Sequence, residues 1–167
     1  MKVLIFDSGT LINLSMNGLL DVLEELKKTF DGKFIITKEV KYETMERPIG
    51  VPRFELGALR IKHLLDSKVI ESPSTINITD KEISKKTKLI TNLVNKTVIA
   101  NRKYINIVGE AEMSCLALSD ILSKKGIENM VAVDERTARI IVEKPENLKK
   151  LMEKRLRKRI QIQTFTC

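Results

Sequence analysis

Two apolar runs, each closed by an aspartate, constrain this chain more than any other feature. They are Val3-Leu4-Ile5-Phe6 before Asp7, and Met130-Val131-Ala132-Val133 before Asp134. A strand covered on both faces reads as an unbroken apolar run rather than an alternating one, as in parallel sheets flanked by helices. In open α/β sheets, ligands gather outside the carboxyl ends of the strands. Two carboxylates far apart in sequence are therefore expected at one sheet edge, sharing one pocket.

The intervening sequence alternates helical and strand patterns. Residues 17–30 place Leu19, Leu20, Leu23, Leu26 and Phe30 at helical spacing, and Asp31-Gly32 supplies the turn that follows. Phe34-Ile35-Ile36 reads as a short strand, and Thr37 as the N-cap of a helix over 38–46 that Pro48 stops. A helix over 53–66 and a short strand at Lys68-Val69-Ile70 come next. Thr79-Asp80-Lys81-Glu82 has the capping-box pattern and opens a polar helix ending near Asn95. Gly109 precedes a long helix to Lys125, with Gly126 just past its end. Beyond the strand ending at Asp134, the pattern predicts a short helix over 135–142, then a basic helix after Pro145. Ile160-Gln161-Ile162-Gln163-Thr164-Phe165 alternates as a closing edge strand does. Alternating β and α predicts one domain over 1–167: a three-layer α/β/α fold with a mainly parallel central sheet, the basic helix and closing strand at 146–165.

Composition narrows the class of function. The chain has 167 residues, 43% of them hydrophobic and 31% charged, enough to bury a core without staples. No apolar stretch approaches the roughly 20 residues of a membrane-spanning helix. The start enters a strand with no basic leader, so a cytoplasmic location is expected. Cys115 and Cys167 have no metal-ligand spacing, and His63 is the sole histidine, which argues against a Cys/His zinc site. The net charge is +8, and six of those charges come from residues 144–159, where eight basic side chains face Glu146 and Glu153. Leu148, Leu151, Met152 and Leu156 give that segment a packing face. Its Lys154, Arg155, Lys158 and Arg159 are the candidate contacts to nucleic-acid phosphates, the alternative being a docked helix with a solvated basic face.

Four stretches carry a resemblance to a known family. Phe6-Asp7-Ser8-Gly9-Thr10-Leu11-Ile12 has a strand-end aspartate followed by a small hydroxyl residue. Ile36-Thr37-Lys38-Glu39-Val40-Lys41-Tyr42-Glu43 has a threonine opening a helix and a glutamate within it. The third is Gly109-Glu110-Ala111-Glu112-Met113-Ser114-Cys115-Leu116, and the fourth Val133-Asp134-Glu135-Arg136-Thr137-Ala138-Arg139. In this order they resemble the motifs of the PIN-domain family of metal-dependent ribonucleases, which includes prokaryotic toxin nucleases. The third is similar to the Gly-Glu-x-Glu variant, with glutamate where many members have aspartate. The fourth pairs Asp134 with Glu135 where two aspartates are common.

The resemblance implies that Asp7, Glu43, Glu112 and Asp134 converge as catalytic ligands on one or two Mg²⁺ or Mn²⁺ ions, with Ser8, Thr10, Glu110 and Glu135 in support. Hard oxygen ligands suit such ions, which activate water and neutralise charge during in-line attack on a phosphodiester. Crowded carboxylates repel one another, and a cation relieves them. Glu112 lies on the helix side of Cys115 and Leu116, whereas Glu110 is about 200° away around the helix. The implied substrate is RNA, and the family implies homodimers and, for toxin members, an antitoxin-like protein partner. Taken alone, Asp7 and Asp134 are also residues that end strands or cap helices, and Glu43 is placed for an i,i+4 pair with Arg47.

Two other functions compete. Ile5-Phe6-Asp7-Ser8-Gly9-Thr10-Leu11-Ile12 also resembles the haloacid-dehalogenase phosphatase motif Asp-x-Asp-Gly-Thr-Leu, but lacks the second aspartate, the general acid. The other alternative is a non-catalytic RNA-binding or assembly protein on the same fold.

Overall fold

The computed structural model describes residues 1–95, 98–100, 103–104, 109–134, 147, 150, 153–154 and 161–162. In chain order its elements are β1 (Lys2–Phe6), α1 (Ser8–Met16), α2 (Asp21–Thr29), β2 (Gly32–Ile35), α3 (Lys38–Lys41), α4 (Pro52–Asp66), α5 (Asp80–Asn95), β3 (Val98–Ala100), β4 (Lys103–Tyr104), α6 (Glu110–Lys124), β5 (Glu128–Ala132) and β6 (Gln161–Ile162).

The first apolar run becomes the middle strand of a three-stranded, all-parallel sheet ordered β2-β1-β5. Val3, Ile5 and Phe6 are buried, and neighbouring residues on a strand face opposite ways, so both faces of β1 are covered. Phe34 of β2 is fully buried and meets Phe6 edge to face, with centroids 5.3 Å apart. Gly32 is required at the start of β2, since a Cβ there would stand 2.4 Å from the Lys2 carbonyl oxygen. The α6 helix packs on β5, β1 and α5, and buries Ala111, Met113, Cys115, Ala117, Leu118 and Leu122. An architecture with helices layered on a parallel sheet is thus present.

Several expectations need correction. The first strand is followed at once by α1, where the sequence suggested no helix before residue 17. Gly9, Thr10, Ile12, Asn13 and Ser15 are weak helix formers, and the Asp7 cap with burial of Leu11 overrides them. Lys68-Val69-Ile70 is a turn with Lys68 at φ 61°, and a single parallel bridge joins Ile35 to Glu71. The second apolar run is only partly covered: among the described residues β5 ends its sheet, Met130 is 55% exposed, and Val131 and Ala132 are half-buried. That strand stops at Ala132, two residues short of Asp134.

A second sheet, antiparallel and ordered β4-β3-β6, was not foreseen at residues 98–104. Gln161 and Ile162 do form part of the expected closing strand, but they pair with β3 rather than with the parallel sheet. The predicted helix over 135–142 lies outside the described residues, and so does most of the basic helix. Among the described residues, no helix is long and apolar enough to cross a membrane.

Candidate metal centre

Each candidate residue is held by a recognisable local device. Asp7 leaves β1 in extended conformation and N-caps α1, with Oδ2 accepting the Gly9 N–H at 3.2 Å. Its own N–H donates to the Ala132 carbonyl, so the ends of β1 and β5 stay in register. Asp7 is 1% exposed. Burial raises its carboxyl above the ordinary range, the Ser8 and Gly9 N–H groups pull it back, and the charge of Glu43 raises it again.

Glu43 arrives from a different direction. Thr37 caps α3 through Val40 N–H, and the helix continues as a π-helical turn over Tyr42–Glu46, in which the Arg47 N–H donates to the Tyr42 carbonyl. Such single π-turns are frequent at functional sites. The turn presents Glu43 Oε2 to the hydroxyl of Ser8, which donates to it at 2.7 Å and lies 3.5 Å from Asp7 Oδ1. The i,i+4 ion pair between Glu43 and Arg47 is not formed among the described residues. Lys41 pairs with Glu46 instead.

Asp134 closes a third side. It is exposed, and the Asn13 amide of α1 donates to its Oδ2. A Cβ built on Gly9 would stand 3.3 Å from Asp7 Oδ2 and 3.6 Å from Asp134 Cβ, so Gly9 leaves space between the two aspartates. Asn13 was missed in the sequence because its helix was missed.

The remaining expected residues behave differently. Glu112 is the third residue of α6, and its Oε2 accepts the N–H of Gly109 at 2.6 Å, so this carboxylate caps its own helix. Thr10 donates to the Ala132 carbonyl at 3.0 Å and fastens α1 to the end of β5. Glu110 is exposed and lines a depression of about 920 Å³ with Glu39, Glu43, Glu46 and Asp80. Lys154 is exposed and helical. Glu135, Arg155, Lys158 and Arg159 lie outside the described residues.

Beneath the site, Thr37 and Ser114 are wholly buried with their hydroxyl oxygens 2.6 Å apart. Ser114 donates to the Ala111 carbonyl, so its single proton is used and Thr37 is the donor between them. This contact ties the start of α3 to α6. Cys115, also buried, donates weakly to the Phe6 carbonyl at 3.6 Å. Burial, and secondarily the Asp7 charge, pushes its thiol well above the usual range, which makes it a packing residue rather than a nucleophile.

As a donor set, Asp7, Glu43 and Asp134 offer only carboxylate oxygens, the chemistry that Mg²⁺ and Mn²⁺ select. The gap beside Gly9 provides a cradle between two of them. The side chains are not drawn together, however: among the described residues no three of His, Cys, Asp and Glu stand close enough to hold a metal ion. In comparisons with known proteins, no family model, curated protein or solved structure matches the chain.

Proposed function

We propose that the chain is a divalent-metal-dependent ribonuclease on a PIN-like α/β/α fold, acting on RNA phosphodiester bonds. What carries the reading is the Ser8 hydroxyl shared between the buried Asp7 and Glu43, at the carboxyl edge of a parallel sheet. A fully buried carboxylate with a second carboxylate beside it is costly without a counter-charge. Asp7, Glu43 and Asp134 would hold Mg²⁺ or Mn²⁺, and Glu112 would join them from α6, where its Oε2 accepts the Gly109 N–H. When bound, the ion supplies Lewis acidity and charge neutralisation at the phosphate. Asp7 and Ser8 fix the orientation of the carboxylates, and Asn13 holds Asp134 at the rim.

The test is to titrate Mn²⁺ while following thermal unfolding and cleavage of a labelled single-stranded RNA. The protein should gain stability with metal and cut the RNA, and Asp7→Asn should abolish both effects. Cleavage that persists undiminished in Asp7→Asn refutes the assignment.

A second reading is favoured by one observation: Glu112 caps its own helix, and among the described residues no carboxylate trio is drawn together. On that reading the protein binds RNA or assembles with a partner without catalysis. RNA binding with neither metal stabilisation nor cleavage selects it.

A further inference from the structure

A groove of about 820 Å³ lies beside the carboxylate site, walled by α1 and α4, with Glu43 in its lining. Helix α4 can close on α1 because residue 57 is glycine; a Cβ there would be 2.8 Å from Ser15 Oγ. Among the described residues, three arginines line the groove, Arg47, Arg53 and Arg60, and Glu43 is its one acidic residue. All three arginines are exposed, and none makes an ion pair with a carboxylate among the described residues. Elsewhere among the described residues some cations are paired, as Lys33 is with Glu71 and Lys86 with Asp120. The floor is apolar, with Ala58 and Ile61 buried, while Phe54 is 44% exposed and carries the Arg53 guanidinium 5.5 Å from its ring centroid.

We infer that this groove holds an unpaired stretch of RNA flanking the phosphate at Asp7 and Glu43, its phosphates on Arg47 and Arg60 and a base stacked at Phe54 and Arg53. The inference rests on the ribonuclease reading for the position of the reacting phosphate. Unpaired guanidinium groups suit phosphates because their planar fork binds two oxygens at once. An exposed aromatic ring beside an arginine is a stacking platform for a base, which a duplex keeps inside its stack. A second copy of this chain suits the groove less well, since three arginines brought against themselves would need acidic partners. The expected RNA contacts on the carboxyl-terminal helix thereby have a counterpart adjoining the site itself.

The experiment measures binding of a labelled single-stranded RNA to the full chain by fluorescence anisotropy, with EDTA present to prevent cutting, across a range of salt. The triple variant R47Q/R53Q/R60Q should bind at least about tenfold more weakly, and the slope of log affinity against log salt should fall by about 1.4, some 0.7 for each of the two phosphate contacts. Phe54→Ala should lose about tenfold in affinity with the slope unchanged. A duplex of the same sequence should bind weakly and ignore Phe54→Ala. Unaltered affinity and slope in the triple variant overturn the inference. So does a stable dimer that Phe54→Ala dissociates, if Phe54→Ala leaves RNA affinity unchanged. All four side chains are exposed, so unchanged melting temperatures check that the variants fold. If the arginine variants weaken binding but the wild type never cuts with Mn²⁺, the groove stands and the nuclease reading fails. If the wild type cuts and the triple variant cuts with unchanged KM, the reverse holds.

Discussion

Ser8 and Glu43, 35 residues apart in sequence, are joined by a 2.7 Å hydrogen bond that places a π-helical turn against the end of the first strand. The hydroxyl has one proton, and the short contact assigns it to Glu43 rather than to Asp7 at 3.5 Å. Ser8→Ala therefore leaves the half-buried Glu43 without its donor and Asp7 without the spacer between two like charges. The expected cost is about 1 kcal/mol of stability in metal-free buffer. Chemical denaturation measures it. Mn²⁺ should recover much of the loss, because a cation replaces the missing proton as the bridge, and an unchanged deficit with saturating Mn²⁺ contradicts that role.

The buried Asp7 predicts a pH dependence of definite sign. Burial, reinforced by Glu43, raises its carboxyl above its ordinary value of 3.8 even though two backbone N–H groups favour the anion. The folded protein thus holds this proton to higher pH than the unfolded chain does. Stability from this group falls as pH rises from the unfolded value to the raised folded value, and the full penalty is present above that window. Asp7→Asn removes the charge and keeps a side chain that caps helices as well as aspartate. Without metal at pH 7 the variant should melt at a higher temperature than wild type. Below pH 3.8 the two proteins should converge. Melting curves across pH check it, and a variant less stable at pH 7 than wild type contradicts it.

Thr37 and Ser114 give a prediction about the support rather than the site. Thr37 accepts from Val40 N–H, caps α3 and donates to Ser114, so Thr37→Val removes a cap and strands a buried hydroxyl oxygen while keeping the volume. The loss should be about 2–3 kcal/mol, the sum of a cap and an unmade buried hydrogen bond. Ser114→Ala should cost less, because its proton goes to a carbonyl of its own helix. The double variant should be better than additive, as expected for two groups in one contact. Strict additivity in urea denaturation separates the two residues.

How far the sequence could be read depended on where the physics was local. Asp7 at a strand end, Thr37 as a cap and Gly126 beyond α6 at φ 70° depend on near neighbours, and each is where the pattern put it. The β1 strand was legible because both its faces are covered. Helix α1 was not, since Leu11 sits among poor helix formers and tertiary packing decides its state. The short strands at 98–104 gave little periodicity to count, and their partner comes from 161–162. At the site, spacing favoured Glu112 on the packed side of its helix, and the carboxylate instead turns back to Gly109, because the exposed N–H groups at a helix start attract the nearest anion. The π-turn that aims Glu43 had no signal, since its residues suit an ordinary helix equally well.

Gly9 separates the cradle from the fold. It lies within α1 with no positive φ, so alanine is conformationally acceptable there and improves helix propensity by up to about 1 kcal/mol. The added methyl carbon would stand 3.3 Å from Asp7 Oδ2 and 3.6 Å from Asp134 Cβ, in the space between the two aspartates. Metal-free stability of Gly9→Ala should thus stay within about 1 kcal/mol of wild type, the carboxylate giving way by a few tenths of an ångström. The stabilisation by Mn²⁺ should shrink, because a ligand that binds the folded state stabilises it in proportion to the logarithm of its saturation ratio. A thousandfold excess over Kd is worth about 4 kcal/mol, so a tenfold loss of affinity removes about 1.4 kcal/mol of that, readable as a smaller metal-induced rise in melting temperature. Gly9→Val should lose more, since its branches occupy the same gap. If both variants respond to Mn²⁺ as wild type does, the ion does not sit between Asp7 and Asp134.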